Sequence, residues 1–128
     1  MRALQSRPSF FPGARLYPGQ TLAPSDPVSR ALRHLLWYLI AGTRGGVNRA
    51  RILAALRERP YNANQLSEAL RLDYRTIRHH LELLEKHGLV ARPAGEAYAA
   101  PYVLSNYMEA NYAVFEEIRS EVARSARD

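Results

Sequence analysis

The 128 residues are enough for one domain with a single hydrophobic core. Lys and Arg outnumber Asp and Glu by 18 to 12, and the resulting formal charge of +6 favours a polyanionic partner such as nucleic acid over an acidic protein or a neutral metabolite. Cysteine is absent, which excludes disulfide bonds, thiolate metal sites and a thiol nucleophile.

Residues 1–25 are predicted to form a flexible basic arm. Prolines and the arginines Arg2, Arg7 and Arg15 occur there without a helical or strand period. A segment of this composition cannot bury enough apolar surface to offset its ordering entropy. We therefore expect the folded domain to comprise residues 26–128 and the arm to follow DNA phosphates or a minor groove.

The first predicted helix begins with Pro27 behind an N-cap and ends at Gly42. Its apolar residues recur at helical spacing, and Trp37 and Tyr38 broaden the apolar face further. The face is wider than a small domain needs for its own core, so we expect a second copy of the chain to cover part of it.

A membrane partner is not expected. The most apolar stretch, residues 35–41, is far shorter than the about 20 residues of a membrane-spanning helix. No basic-then-apolar leader opens the sequence. We therefore expect a cytoplasmic protein associated with the nucleoid.

A second helix is predicted between the glycine pair at 45–46 and Pro60, and a short third helix follows it. Asn62 and Gln65 have the spacing of a capping box at the start of the third helix. The third helix is expected to bury Leu66, Ala69 and Leu70.

The fourth helix is predicted from Tyr74 to about His87, with Asp73 as its N-cap and Gly88 at its end. Two short helices joined by a three-to-four-residue turn form a helix-turn-helix. The third and fourth helices therefore predict this motif.

A β-hairpin and a last helix complete the predicted domain. The runs 89–92 and 97–104 are short and apolar and flank a turn, and Pro101 limits the second strand to an edge position. Ser105 or Asn106 caps a final helix that runs to about Arg124. The predicted fold is mainly α with a small β-hairpin wing, a winged helix-turn-helix with flanking N- and C-terminal helices. The predicted dimer interface consists of Leu32, Leu35, Leu36, Leu39, Tyr112, Phe115, Ile118 and Val122.

The fourth helix carries the predicted base-reading face. At about 100° per residue, one side consists of Ile77, Leu81 and Leu84, which must face the core. The opposite side consists of Arg75, His79 and Lys86. Such side chains read base edges in the major groove, arginine to guanine being the commonest specific pair.

Other positions are predicted to contact phosphates, because they lie at helix starts or beside the wing turn. Arg92 has a simpler interpretation as a surface pair with Glu96 across that turn. The full set of predicted DNA-binding residues is Asn64, Tyr74, Arg75, Thr76, Arg78, His79, Lys86, Arg92, Arg44 and Arg49.

Neither a metal site nor a catalytic site is predicted. His79 and His80 are adjacent on a helix and point about 100° apart, so they cannot both bind one ion unaided. His80 lies at the edge of the core face, where a packed, hydrogen-bonded histidine is the expected role. No P-loop, dinucleotide fingerprint or nucleophile elbow occurs, so we expect no enzyme activity, no cofactor and no small-molecule substrate.

The segment Leu66–Leu70 followed by Tyr74–Val90 resembles ArsR-like winged-helix regulators, in particular their archaeal branch. The similarity covers residues 44–104, and its pattern consists of Thr76, His80, Leu81, Leu84, Gly88, Leu89 and Val90. The resemblance implies DNA-binding regulation. It does not imply metal sensing, because metal-sensing members use cysteine thiolates. Arg71 occupies a turn position that often carries glycine, which predicts a strained arginine or a different turn geometry.

Taken together, the sequence predicts a homodimeric regulator that binds a pseudo-palindromic site in double-stranded DNA. One alternative is a nucleoid-associated protein that coats DNA with little sequence preference. Another is a winged helix used only for protein–protein contact.

Overall fold

The computed structural model describes residues 27–95, 97 and 99–127. For residues 126 and 127 it describes the backbone only. The predicted basic arm and Glu96 lie outside the described residues. The helices are α1 (Pro27–Leu36), α2 (Gly46–Glu58), α3 (Ala63–Leu70), α4 (Tyr74–Lys86), α5 (Asn106–Ala110) and α6 (Tyr112–Arg127), and the strands are β1 (Val90–Ala91) and β2 (Val103–Leu104).

The first predicted helix begins at Pro27 as expected, but its second half is a π-helix over residues 37–41. The N–H of Gly42 donates to the carbonyl of Trp37 at 2.8 Å and closes the wider turn. The chain then returns so tightly that a Cβ at Gly46 would lie 1.8 Å from the carbonyl oxygen of Ile40. Only glycine fits at the start of α2.

Both caps predicted for the helix-turn-helix are confirmed. The N–H of Gln65 donates to Asn62 Oδ1 at 2.7 Å, and the N–H of Asn62 donates to Gln65 Oε1 at 2.9 Å. At the next helix, one carboxylate oxygen of Asp73 accepts from the N–H groups of Arg75 at 3.0 Å and Thr76 at 3.2 Å. These bonds fix where α3 and α4 begin.

The turn between α3 and α4 contains a strained arginine, the first of the two alternatives that the sequence left open. Arg71 has φ 58° and ψ 46°, the left-handed conformation that glycine adopts at lower cost. Ser67 holds the turn on both sides, because its carbonyl accepts from the N–H of Leu72 at 3.1 Å and its hydroxyl donates to the Leu72 carbonyl at 2.6 Å.

The wing, residues 90–104, is a shorter hairpin than predicted. The strands pair antiparallel at Val90 with Leu104 and Ala91 with Val103. The prediction that strands extend over 89–92 and 97–104 is wrong, because Ala99 has φ 70° and Pro101 has no N–H for a ladder. Tyr102 instead pairs with Tyr61 in an isolated antiparallel bridge, which joins the wing to the turn before α3.

The predicted dimer interface is corrected by the packing of the terminal helices. α6 packs against α1 and the π-helix within one chain. Leu32, Leu36, Leu39, Phe115 and Ile118 are fully buried there, Tyr112 is also buried, and Leu35 and Val122 are half-buried. The two apolar stripes cover each other, so the six buried side chains are not available to a partner, whereas Leu35 and Val122 stay predicted contacts.

Two further features of the described helices bear on the predictions. Leu66 is buried and Leu70 half-buried as expected, but Ala69 is exposed.

The last helix is interrupted at Asn111, and Ser105 caps its first segment by accepting from the N–H of Met108 at 3.1 Å. None of the described helices is long and apolar enough to cross a membrane.

Candidate nucleic-acid interface

The outward face of α4 is arranged as its periodicity predicted. Ile77, Leu81 and Leu84 have no solvent exposure. Arg75, His79 and Lys86, which we call the outer face, are all exposed on the opposite side. A guanidinium, an imidazole and an ammonium group therefore project from the second helix of a helix-turn-helix.

The N-terminal ends of α3 and α4 carry three of the predicted phosphate contacts. Asn64 and Tyr74 are exposed, and Thr76 is half-buried. The amides of Arg75 and Thr76 already donate to Asp73, so this helix end is capped by its own chain. Contacts from this region would therefore come from side chains.

Arg78 lies on the side of α4 that faces the wing. Its Nη1 lies 3.3 Å from the hydroxyl oxygen of Tyr74, and its Nη2 lies 3.4 Å from Glu82 Oε2. Its Nε is buried and has no hydrogen-bond partner. The hydrogen bond to Tyr74 is the main cause that raises the pKa of the guanidinium, so Arg78 remains a full positive charge.

Arg92 is paired with Glu85. Its Nη2 lies 2.9 Å from Glu85 Oε1, its Nε lies 3.2 Å from Oε2, and its guanidinium lies 5.2 Å from the centre of the Tyr102 ring. The pair joins the C-terminal half of α4 to the base of the wing. Glu96, the partner considered from sequence, lies outside the described residues.

The prediction that Arg49 contacts DNA is wrong, because its side chain lies inside the protein. Only 4% of the residue is exposed. Its Nε donates to the carbonyl of Leu39 at 2.8 Å, its Nη2 donates to the Thr43 hydroxyl, and its Nη1 lies 3.3 Å from His80 Nδ1. Burial lowers the pKa of this guanidinium. Arg44, five residues earlier in the chain, is exposed.

His80 has the packed, hydrogen-bonded role that its position predicted. Arginine can only donate, so His80 Nδ1 accepts from Arg49 and the imidazole is neutral with its proton on Nε2. Burial lowers the pKa of His80, and the charges of Arg49 and then His79 lower it further. Among the described residues no group of three His, Asp or Glu side chains could hold a metal ion.

A small cleft opens between the start of α3, the side of α4 and the wing. Its volume is about 120 Å³, and it is lined by Asn62, Ala63, Asn64, Tyr74, Arg78, Arg92, Ala97, Ala99, Ala100 and Tyr102. We call it the wing cleft. The sequence predicted four of these residues as DNA contacts but did not indicate Tyr102. Tyr102 is buried, and burial is the main cause that raises the pKa of its hydroxyl group. The bridge between Tyr61 and Tyr102 that places it here spans 41 positions, and no local signal marks it.

Comparisons with known proteins agree with this geometry. Residues 46–92 match the family model described as bacterial regulatory protein, arsR family. The fold is similar to the crystal structure of a MarR family transcription regulator, with a TM-score of 0.51 and 25% identity over 80% of this chain and 69% of that one. A search of curated proteins found no match. Residues 46–92 are therefore similar to an ArsR-type helix-turn-helix domain, in a chain with a winged-helix fold, while the narrower resemblance to the archaeal branch stays a prediction.

Proposed function

We propose that the protein is a sequence-specific, double-stranded DNA-binding transcription regulator that acts as a homodimer on a pseudo-palindromic site. The observation that carries the proposal is the outer face of α4. Its polar side chains are exposed while the apolar residues between them are fully buried, so they can enter a groove without unfolding the domain. The proposal includes no catalytic step and places the protein in the cytoplasm, on the nucleoid.

The chemistry of this face suits the major groove. Arg75 can donate two parallel hydrogen bonds to O6 and N7 of one guanine, and His79 lies one helical turn further along the same face. Lys86, at the end of α4, is a point charge better suited to a phosphate. The net charge of +6 supports the same partner, because it favours approach to a polyanion.

Dimerisation is proposed on the part of the first apolar face that stays exposed, together with Val47, and not on the six buried residues of the predicted interface. Tyr38 and Trp37 on the π-helix are 58% and 38% exposed, and Val47 at the start of α2 is 68% exposed. Exposed aromatic residues are enriched at protein interfaces. Two copies related by a two-fold axis would present two recognition helices to two half-sites.

The proposal is tested by selecting duplexes from a random pool and then measuring affinity for the selected and a scrambled sequence at one salt concentration. We expect tighter binding to the selected duplex. Arg75→Ala should reduce that preference, whereas Arg124→Ala, which removes one exposed positive charge from α6, should leave it unchanged. Equal affinity for both duplexes would favour a nucleoid-coating protein. Failure to bind any duplex would favour a winged helix used for protein contact.

A further inference from the structure

The wing cleft brings together polar groups that the outer face of α4 does not use. It lies beside α4, and its walls combine the guanidinium of Arg78, the side chains of Asn64 and Tyr74 and a floor of small residues such as Ala63 and Ala100. Its volume of about 120 Å³ is several times the ~10–15 Å³ that one water molecule needs by the same measure. The cleft therefore has room for a group of several heavy atoms, such as a phosphate.

Arg78 is the least satisfied cation in this cleft. Its Nε is buried without a partner, and its two terminal nitrogens make only long contacts of 3.3 and 3.4 Å. Arg92, in contrast, is held by Glu85 at 2.9 Å. An oxyanion in the cleft would give Arg78 the bidentate partner that guanidinium geometry favours.

We propose that the wing cleft binds one phosphodiester group of the DNA backbone, and that Arg78 leaves Glu82 to become its main ligand. This inference rests on the proposed function. If α4 lies in the major groove, a backbone strand that borders the groove runs along the flank of α4, and the cleft opens on the flank that faces the wing. Phosphate contacts of this kind fix the register of the protein on the duplex.

The neighbouring carboxylates favour a phosphate of DNA over a free anion. Glu82 and Glu85 each pair with an arginine of the cleft, so a small anion in solution must compete with two attached carboxylates. A phosphate of a duplex already held by α4 has a much higher local concentration and can displace the long contact between Arg78 and Glu82. Glu82 then limits affinity, because its exposed carboxylate opposes the incoming phosphate.

The first test compares Arg78→Ala with Arg124→Ala by fluorescence anisotropy on selected and scrambled duplexes over a range of salt concentrations. We expect Arg78→Ala to weaken binding about tenfold on both sequences, and to flatten the slope of log K against log salt by about 0.9. Arg124→Ala should change neither. A loss confined to the selected duplex would show that Arg78 reads a base, and would overturn the proposal. Arg78→Gln repeats the test if thermal unfolding shows that the alanine variant is misfolded.

The second test measures Glu82→Gln alone and combined with Arg78→Ala. The single variant should bind up to about fivefold more tightly, because Arg78 is released and a repelling charge is removed. Most of that gain should disappear in the Arg78→Ala background. The same gain in both backgrounds would show that Glu82 acts only by general repulsion, which contradicts the exchange of partners by Arg78.

The outcomes separate this inference from the proposed function. If the wild-type protein binds no duplex, the proposed function fails and the inference with it. If the wild type binds and Arg78→Ala binds equally well, only the inference fails. A binding measurement with inorganic phosphate alone, at matched ionic strength, tests whether the cleft takes a free anion or a phosphate of DNA. Saturable binding of phosphate alone that Arg78→Ala abolishes would assign the cleft to a free anion, against the proposal.

Discussion

Nη1 of Arg49 lies 3.3 Å from Nδ1 of His80 in the interior of the protein, and this contact joins α2 to the recognition helix α4. The same guanidinium reaches the carbonyl of Leu39 in the π-helix. One side chain therefore connects three elements. The contact requires a neutral His80, because a protonated imidazole could not accept from Arg49.

Stability should fall as the pH is lowered through the ordinary pKa of histidine. In the folded protein the pKa of His80 lies below 6.5, because of burial first and then the charges of Arg49 and His79. Below pH about 6.5 the unfolded chain binds a proton at this residue where the folded chain does not. The contribution of His80 to the free energy of unfolding is therefore fully present above that pH. It decreases below that pH by at most about 1.4 kcal/mol per pH unit.

The measurement is urea unfolding at several pH values between 4 and 8 for the wild type and His80→Gln. The difference between the two curves isolates His80, since His34, His79 and His87 are present in both. The variant should lose the pH dependence that His80 causes. Parallel curves over the whole range would contradict this account of the buried pair.

Removing the buried arginine should cost far more than removing its exposed neighbour. Arg49→Ala leaves the Leu39 carbonyl, the Thr43 hydroxyl and His80 Nδ1 without their donor, and we expect the free energy of unfolding to fall by about 2 to 4 kcal/mol. Arg44→Ala removes the same charge from the surface and should cost less than about 0.5 kcal/mol. Equal effects in chemical denaturation would mean that Arg49 is not buried in solution.

Arg71→Gly should be neutral or stabilising by up to about 1 kcal/mol. Glycine adopts the left-handed conformation at φ 58° without the steric strain of an arginine. This gain offsets the larger conformational entropy that glycine loses on folding. Arg71→Val is the matched control and should destabilise, because a β-branched residue is least tolerant of positive φ. The ranking of melting temperatures, glycine at or above arginine and arginine above valine, checks the turn geometry. A valine variant as stable as the glycine variant would disagree with it.

The dimer proposal predicts different effects for neighbouring residues of the first helical segment. Tyr38→Ser changes a side chain that is 58% exposed, so it should weaken self-association with little effect on unfolding. Leu36→Ala changes a fully buried side chain and should destabilise the fold by about 2 to 5 kcal/mol. Analytical ultracentrifugation gives the stoichiometry. A wild-type protein that sediments as a monomer at micromolar concentration would rule the proposed dimer out.

Local chemistry predicted the elements that carry the candidate interface. Asn62 and Asp73 cap the helices that they were expected to cap, because a cap is a contact over two or three residues. The two sides of α4 follow from one helical period. Contacts distant in sequence were not predictable in this way. Arg49 has the sequence context of a surface cation, and only the folded chain places the Leu39 carbonyl within its reach.

The terminal helices illustrate the same limit. Each has an apolar stripe that requires a partner surface, and nothing in either stripe distinguishes a partner in the same chain from one in a second copy. The structure places Leu36 and Ile118 in one hydrophobic core within a single chain. The aromatic side chains that stay exposed form a smaller apolar surface than the two whole stripes that the sequence predicted for dimerisation.

The central claim is that the outer face of α4 reads DNA sequence. It is tested most directly by the ratio of affinities for a selected and a scrambled duplex, measured at one salt concentration for the wild type, Arg75→Ala and His79→Ala. The account predicts a wild-type ratio of about 10³ or more, and a loss of about 1 to 3 kcal/mol on the selected duplex alone in each variant. A wild-type ratio near one, or equal losses on both duplexes, would contradict it.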